Sequence, residues 1–131
     1  MYSSISEKLY ETKIDLDKIK SLVANFYNIP KEVLNKVKVY FENLPYVLKI
    51  EKIGNRIKIY INKILGFYIP GKKEIYIDEK IPYKCKVLTL LHEFVHAAQD
   101  YIGKIYRKSR EFIETEARKV SEYLLRKYFK Y

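Results

Sequence analysis

Apolar positions change their spacing twice along this chain, and each change marks a change of predicted element. Up to about Asn28 they recur at helical intervals, through Ile5, Leu9, Ile14, Leu16, Ile19, Leu22, Val23 and Phe26. Steps of three and four residues put these side chains on one helical face. Ser4-Ile5-Ser6-Glu7 has the form of a capping box and predicts where this material starts, with Thr12 marking a break. A second helix is predicted from Pro30, which suits a first turn, through Val33, Leu34, Val37 and Phe41, until Pro45 stops it. From Tyr46 the period becomes two. Tyr46, Leu48 and Ile50 alternate with Val47, Lys49 and Glu51, and beyond Gly54-Asn55, Ile57, Ile59 and Ile61 alternate with Lys58, Tyr60 and Asn62. This predicts a β-hairpin. A second strand pair is predicted from Ile64 to Ile69 and from Glu74 to Asp78, joined at Pro70-Gly71 with Lys72-Lys73 as the exposed turn.

Helical spacing returns with Val87, Leu90, Leu91, Phe94, Ala98 and Tyr101, and Gly103 is placed to end that helix. After a short basic connection, Lys104 to Lys108, a last helix is predicted from Ser109 with Ile113, Ala117, Val120 and Leu124 as its buried stripe. Helices, then strands, then helices argue an α+β domain. The predicted division is N-terminal helices over 1–45, a mainly antiparallel sheet of about four strands over 46–78, and helices over 84–102 and 109–129. At 131 residues the chain suits a single domain, long enough to bury about two-thirds of its unfolded surface without disulfides. Cys85, the only cysteine, is read as a small core residue of a protein in a reducing interior. No apolar run approaches the eighteen or so residues of a membrane span, so the expectation is a soluble, cytoplasmic protein with no membrane partner.

A net charge of +10 raises the question of nucleic acid, because clustered cations supply the phosphate-binding term. Here the lysines are scattered from Lys8 to Lys130 and interleaved with Glu, which argues against a nucleic-acid partner. Together with abundant Ile and Tyr and a single Gln, Gln99, this composition is that of heat-adapted proteins.

The chemistry concentrates at His92-Glu93-Phe94-Val95-His96, which holds both histidines of the chain. On a helix, residues four apart share a face, so the two imidazoles can converge on one metal ion. Glu93 lies beside them, placed to serve as a base without ligating. The alternative is a helix that carries two unrelated histidines, and the apolar stripe on the opposite side argues for a buried site helix instead. A catalytic zinc site needs three protein ligands. With no third histidine and with Cys85 two turns from His92, the third must be a carboxylate of the last helix. Glu114 and Glu116 flank its buried stripe. Ala117 and Ser121 beside Glu114 leave room for the metal helix, whereas Phe112, Val120 and Tyr123 crowd Glu116, so the reading leans to Glu114. The strand Leu65-Gly66-Phe67-Tyr68-Ile69-Pro70 carries a glycine within it and a proline at its end, both at home on a sheet edge. Gly66, Phe67, Tyr68 and Ile69 are therefore candidates to bind an extended peptide substrate by strand addition.

With these residues the chain resembles the gluzincin group of HExxH+E zinc metallopeptidases. Their third ligand is a Glu on a later helix, and Glu114-Thr115-Glu116-Ala117 matches its context. The size and the strand pair around Phe67-Tyr68-Ile69-Pro70-Gly71 are similar to the minigluzincins, small enzymes of thermophilic prokaryotes related to the catalytic domains of M48 and M56 peptidases. The resemblance implies a zincin-like fold and a Zn2+ cofactor on His92, His96 and Glu114. It also implies hydrolysis of a peptide or protein by metal-activated water, with Glu93 as general base. Arg118 stands where relatives carry an acidic or amide residue that orients the first histidine, and Glu111 or a backbone carbonyl is expected to substitute. An oxyanion donor is sought among Tyr101, Tyr106 and Tyr123. Minigluzincins resemble zymogens, so the segment from about Leu125 is expected to block the cleft of its own chain or of a dimer partner. The alternative packs that end into the core. A zinc-containing regulatory or binding module without peptidase activity is the alternative function.

Overall fold

The computed structural model describes residues 13–130, so the capping box Ser4–Glu7 and the helical material before Lys13 lie outside the described residues. Among the described residues four α-helices are formed: α1 (Leu16–Tyr27), α2 (Lys31–Asn35), α3 (Tyr83–Tyr101) and α4 (Arg110–Tyr128). The strands are β1 (Lys38–Glu42), β2 (Tyr46–Ile53), β3 (Arg56–Lys63), β4 (Gly66–Ile69) and β5 (Glu74–Asp78), and a 3-10 turn (Lys104–Tyr106) precedes α4. The arrangement is α+β, as the element order predicts, but the sheet differs from the expected one. It is two sheets: a mixed three-stranded sheet in the order β1-β5-β4 and a separate hairpin, β2-β3.

The second predicted helix is the main correction. It stops at Asn35, and Lys38–Glu42 pairs in parallel with β5, Val39 opposite Ile75 and Phe41 opposite Ile77. Val37 and Phe41 fit a helical stripe, but Lys38-Val39-Tyr40-Phe41 also alternates and is rich in residues that favour strands. The choice is made by the open edge of β5, more than thirty positions further along, which offers backbone partners that the sequence window does not contain.

Other boundaries follow local chemistry. The Asp15 side chain caps α1 by accepting from the Lys18 amide at 3.0 Å, and Asn28 ends it in the left-handed region. Gly103, at φ 77°, follows the end of α3, and Ser109 caps α4 by accepting from the Phe112 amide at 3.1 Å. Gly54, at φ 60°, turns the β2-β3 hairpin.

Helix α3 lies between the three-stranded sheet on one side and α1 and α4 on the other. Ile75 and Ile77 of the sheet, Ile19 and Val23 of α1, and Ala117 and Leu124 of α4 share one core with Val87, Leu90, Leu91, Phe94 and Ala98. Burial of α3 starts at Lys86, so Cys85 in its first turn is exposed, contrary to its reading as a core residue. Tyr101, at the other end of the predicted stripe, is also exposed. On the outer face of the sheet Tyr40, Tyr76 and Phe67 stack in a row, with ring centroids 5.2 and 5.0 Å apart.

Gly66 lets the edge strand β4 approach α3. A Cβ there would lie 2.7 Å from Thr89 Cγ2 and 2.9 Å from the Tyr76 carbonyl oxygen. Gly66→Ala is therefore expected to destabilise the fold by about 1–3 kcal/mol, as overpacking does. Gly71→Ala, where no atom lies within 4 Å, should be close to neutral. Equal urea midpoints for the two variants would remove the close-approach argument.

Candidate metal centre

His92 and His96 stand on successive turns of α3, one turn apart, and Glu114 faces them from the second turn of α4. The two Nε2 atoms are 3.2 Å apart. Glu114 Oε1 is 2.9 Å from His96 Nε2, and Oε2 is 3.5 Å from His92 Nε2. Tetrahedral zinc with bonds of about 2.0–2.1 Å separates its ligand atoms by roughly 3.3 Å, so the two ring nitrogens and the Glu114 carboxylate stand near the spacing a shared cation needs.

The tautomer of His96 can be argued from its surroundings. Gln99, fully buried, donates from Nε2 to Glu116 Oε2 at 2.8 Å and to the Ile113 carbonyl at 3.2 Å. Two acceptors on that side fix the amide, so its Oε1 faces His96 Nδ1 at 2.8 Å and can only accept. His96 then carries its proton on Nδ1, and the Nε2 lone pair points at His92 and Glu114. Burial, with His96 alongside, holds the His92 imidazole below its ordinary pKa, which favours the neutral, metal-binding form. Two imidazoles and a carboxylate gathered in this way could hold a metal ion.

Glu116, the other carboxylate considered as a ligand, does structural work instead. It accepts from Gln99, from Tyr27 at 2.8 Å and from Lys104 at 2.7 Å. Burial alone would raise its pKa, but these donors outweigh burial and hold it below the usual carboxylate value. Gln99 was met in the sequence only as the one glutamine of the chain. Its place three residues after His96 was the available signal. Gln99→Ala is expected to weaken zinc binding about 10–100-fold, as loss of a partner that orients a metal-ligating histidine does. Titration against a chelator of known affinity checks this, and an unchanged affinity would count against the role.

Glu93 is buried, and that burial, with the negative Glu114 nearby, pushes its carboxyl up to about 8. A cation between Glu114 and the histidines would counter the second cause and favour the ionised form. Glu93 lines a cleft of about 550 Å³ together with His92, His96, Glu114, Arg110 and β4. Of the four candidate substrate residues, Gly66, Phe67 and Tyr68 line that cleft, whereas Ile69 pairs with Glu74 and is not part of its wall. β4 is an edge strand, as expected. The Tyr68 hydroxyl is tied to Asp100 Oδ2 at 2.7 Å, which pins β4 to α3.

Two expectations about neighbouring residues are corrected. None of Tyr101, Tyr106 and Tyr123 lines the cleft: Tyr101 and Tyr106 border another groove, where the Tyr106 hydroxyl donates to Asp100, and Tyr123 contacts Lys127. The polar donor on the cleft wall is Arg110, one turn before Glu114, which the sequence reading did not single out. Glu111 is exposed and outside the cleft lining, and among the described residues no group takes the role of orienting His92 through Nδ1.

Comparison with protein-family models, with curated proteins and with solved structures matches none of them. Among the described residues, no helix is long and apolar enough to cross a membrane.

Proposed function

We propose that the chain is a zinc-dependent peptidase of the HExxH+E, gluzincin-like kind, with His92, His96 and Glu114 as metal ligands and Glu93 as general base. One observation carries this reading: two imidazole nitrogens and a carboxylate from two helices converge, one ligand atom from each lying within 4.8 Å of the others, on the wall of a cleft. Bound zinc supplies Lewis acidity, making water acidic near neutral pH and polarising a carbonyl. The protein's own groups do the rest. The edge of β4 holds an extended peptide by main-chain hydrogen bonds. Glu93 takes the proton of the attacking water on its carboxylate and delivers it to the departing amine nitrogen. Arg110 is the donor available to the oxygen on which negative charge develops. Zinc analysis of protein purified without a histidine tag, followed by peptide hydrolysis that depends on Glu93, tests the reading. A protein that binds zinc and hydrolyses nothing would turn it to the binding-module alternative.

Latency through the C-terminal segment takes a narrower form. Leu124 and Leu125 are buried, Phe129 packs against the core, and Lys18 Nζ donates to the Tyr128 carbonyl at 2.8 Å. Phe129 lies against Lys18 of α1, and none of the described residues from Leu125 onward lines the cleft. Removing residues 127–131 should therefore lower the melting temperature by several degrees and leave hydrolysis unchanged. A rise in hydrolysis with an unchanged melting temperature would restore the blocking role.

A further inference from the structure

The β2-β3 hairpin stands apart from the rest of the chain. Its two strands pair with each other over eight residues each and, among the described residues, pack to any extent on no other element. Among the described residues it is held at its base, where Asp78 accepts from the Leu44 amide at 2.9 Å and pairs with Lys63 at 3.3 Å, and where Lys63 also donates to the Leu44 carbonyl. An isolated two-stranded hairpin is at best marginally stable in water.

Its two faces differ. Register places Leu48 opposite Ile61 and Ile50 opposite Ile59, with Ile57 next along the same face. These five aliphatic side chains are 60–68% exposed. The other face is mainly polar and charged, carrying Lys49, Glu51, Arg56, Lys58, Tyr60 and Asn62 with Val47 and Ile53 at its two ends, and Glu51 lies directly opposite Lys58. An aliphatic face backed by a face of mixed sign is the pattern of an antiparallel sheet packed on one side against another hydrophobic layer.

We propose that this aliphatic face is a dimerisation surface whose partner is a second copy of the chain, stacked hairpin on hairpin. The area fits. Five side chains exposed to this degree present on the order of 500–600 Å² per copy, and two copies together bury roughly 1,000–1,200 Å², where specific protein interfaces begin. At this size the strip stands at the top of the range of apolar patch that a monomer leaves open, where such patches often mark interaction sites. The strip is aliphatic at each of these positions, so a second copy meets it with like surface. Lys63 is turned to Asp78, and the remaining charge on the face, Lys52, stands at the turn end directly opposite Ile57, where its flexible stem can carry the ammonium past the edge of the strip. A lipid surface fits less well, because the cations of the hairpin lie mostly on the opposite face and are mixed there with Glu51. This association is independent of the metal site.

The test is sedimentation equilibrium of the full chain at about 100 µM, for wild type and Ile59→Lys, with far-UV circular dichroism and zinc uptake recorded for both. The expected result is a wild-type dimer and an Ile59→Lys monomer, the dissociation constant rising at least about tenfold while helix content and zinc uptake are kept. If Ile59→Lys fails to fold, the Ile50→Thr/Ile59→Thr variant decides, since threonine keeps strand propensity while removing apolar surface. A monomeric wild type, or a dimer that survives these substitutions, overturns the proposal. So does a monomeric wild type that co-sediments with phosphatidylcholine/phosphatidylglycerol vesicles through this face, which would assign the hairpin to lipid.

Discussion

His96→Ala is expected to remove zinc from the protein. Wild type purified without a histidine tag should carry one zinc per chain, and His92→Ala or His96→Ala should weaken binding by more than about a hundredfold, beyond the loss typical of a supporting partner. The separations of 2.9–3.5 Å among His92, His96 and Glu114 leave no spare ligand among the described residues to take over. Glu114→Ala should behave like the histidine variants. Glu116→Ala should retain most of the metal, because Glu116 reaches the site only through Gln99. Metal analysis by mass spectrometry after dialysis reads all four variants. A wild type that takes up no zinc even when supplied with it would end the metal reading, and a larger loss in Glu116→Ala than in Glu114→Ala would reassign the third ligand.

Glu93→Gln should separate binding from chemistry. The substitution keeps the shape of a buried side chain and removes the base, so zinc content and melting temperature should hold while peptide hydrolysis falls about 10²–10⁴-fold. Burial and Glu114 both favour the neutral form of this carboxyl, so the uncharged amide should be well tolerated in the fold. Hydrolysis of a fluorogenic peptide, read beside zinc content, is the measurement. Residual activity equal to wild type would mean that another group is the base, and loss of zinc in step with activity would mean that Glu93 ligates.

The candidate site was legible to different depths in different places. His92, Glu93 and His96 could be read because a helix converts a spacing of four into a shared face by local geometry alone. Glu114 was reached by packing logic, since small Ala117 and Ser121 mark where one helix lets another approach, and in the structure it is Glu114 that faces the histidines. Gln99 was not found, because a lone glutamine three residues after a histidine acquires meaning only when Ile113 and Glu116 arrive from α4 to fix its amide. Arg110 was missed for the same reason: which side of a first helical turn meets a cleft depends on how two helices are set against each other.

The same division holds for the fold. The sequence by itself determined what is local: the hairpin turn at Gly54-Asn55, the caps at Gly103 and Ser109, the buried stripes of α3 and α4, and Gly66 on a sheet edge. Each rests on backbone preference or on periodicity within a dozen residues. Only the tertiary structure decided that Lys38–Glu42 is a strand rather than the end of a helix, that it runs parallel to β5, and that β2-β3 forms no part of the main sheet. A segment whose apolar positions suit both periods is settled by the backbone partner it finds, and here that partner, Glu74–Asp78, is distant in sequence.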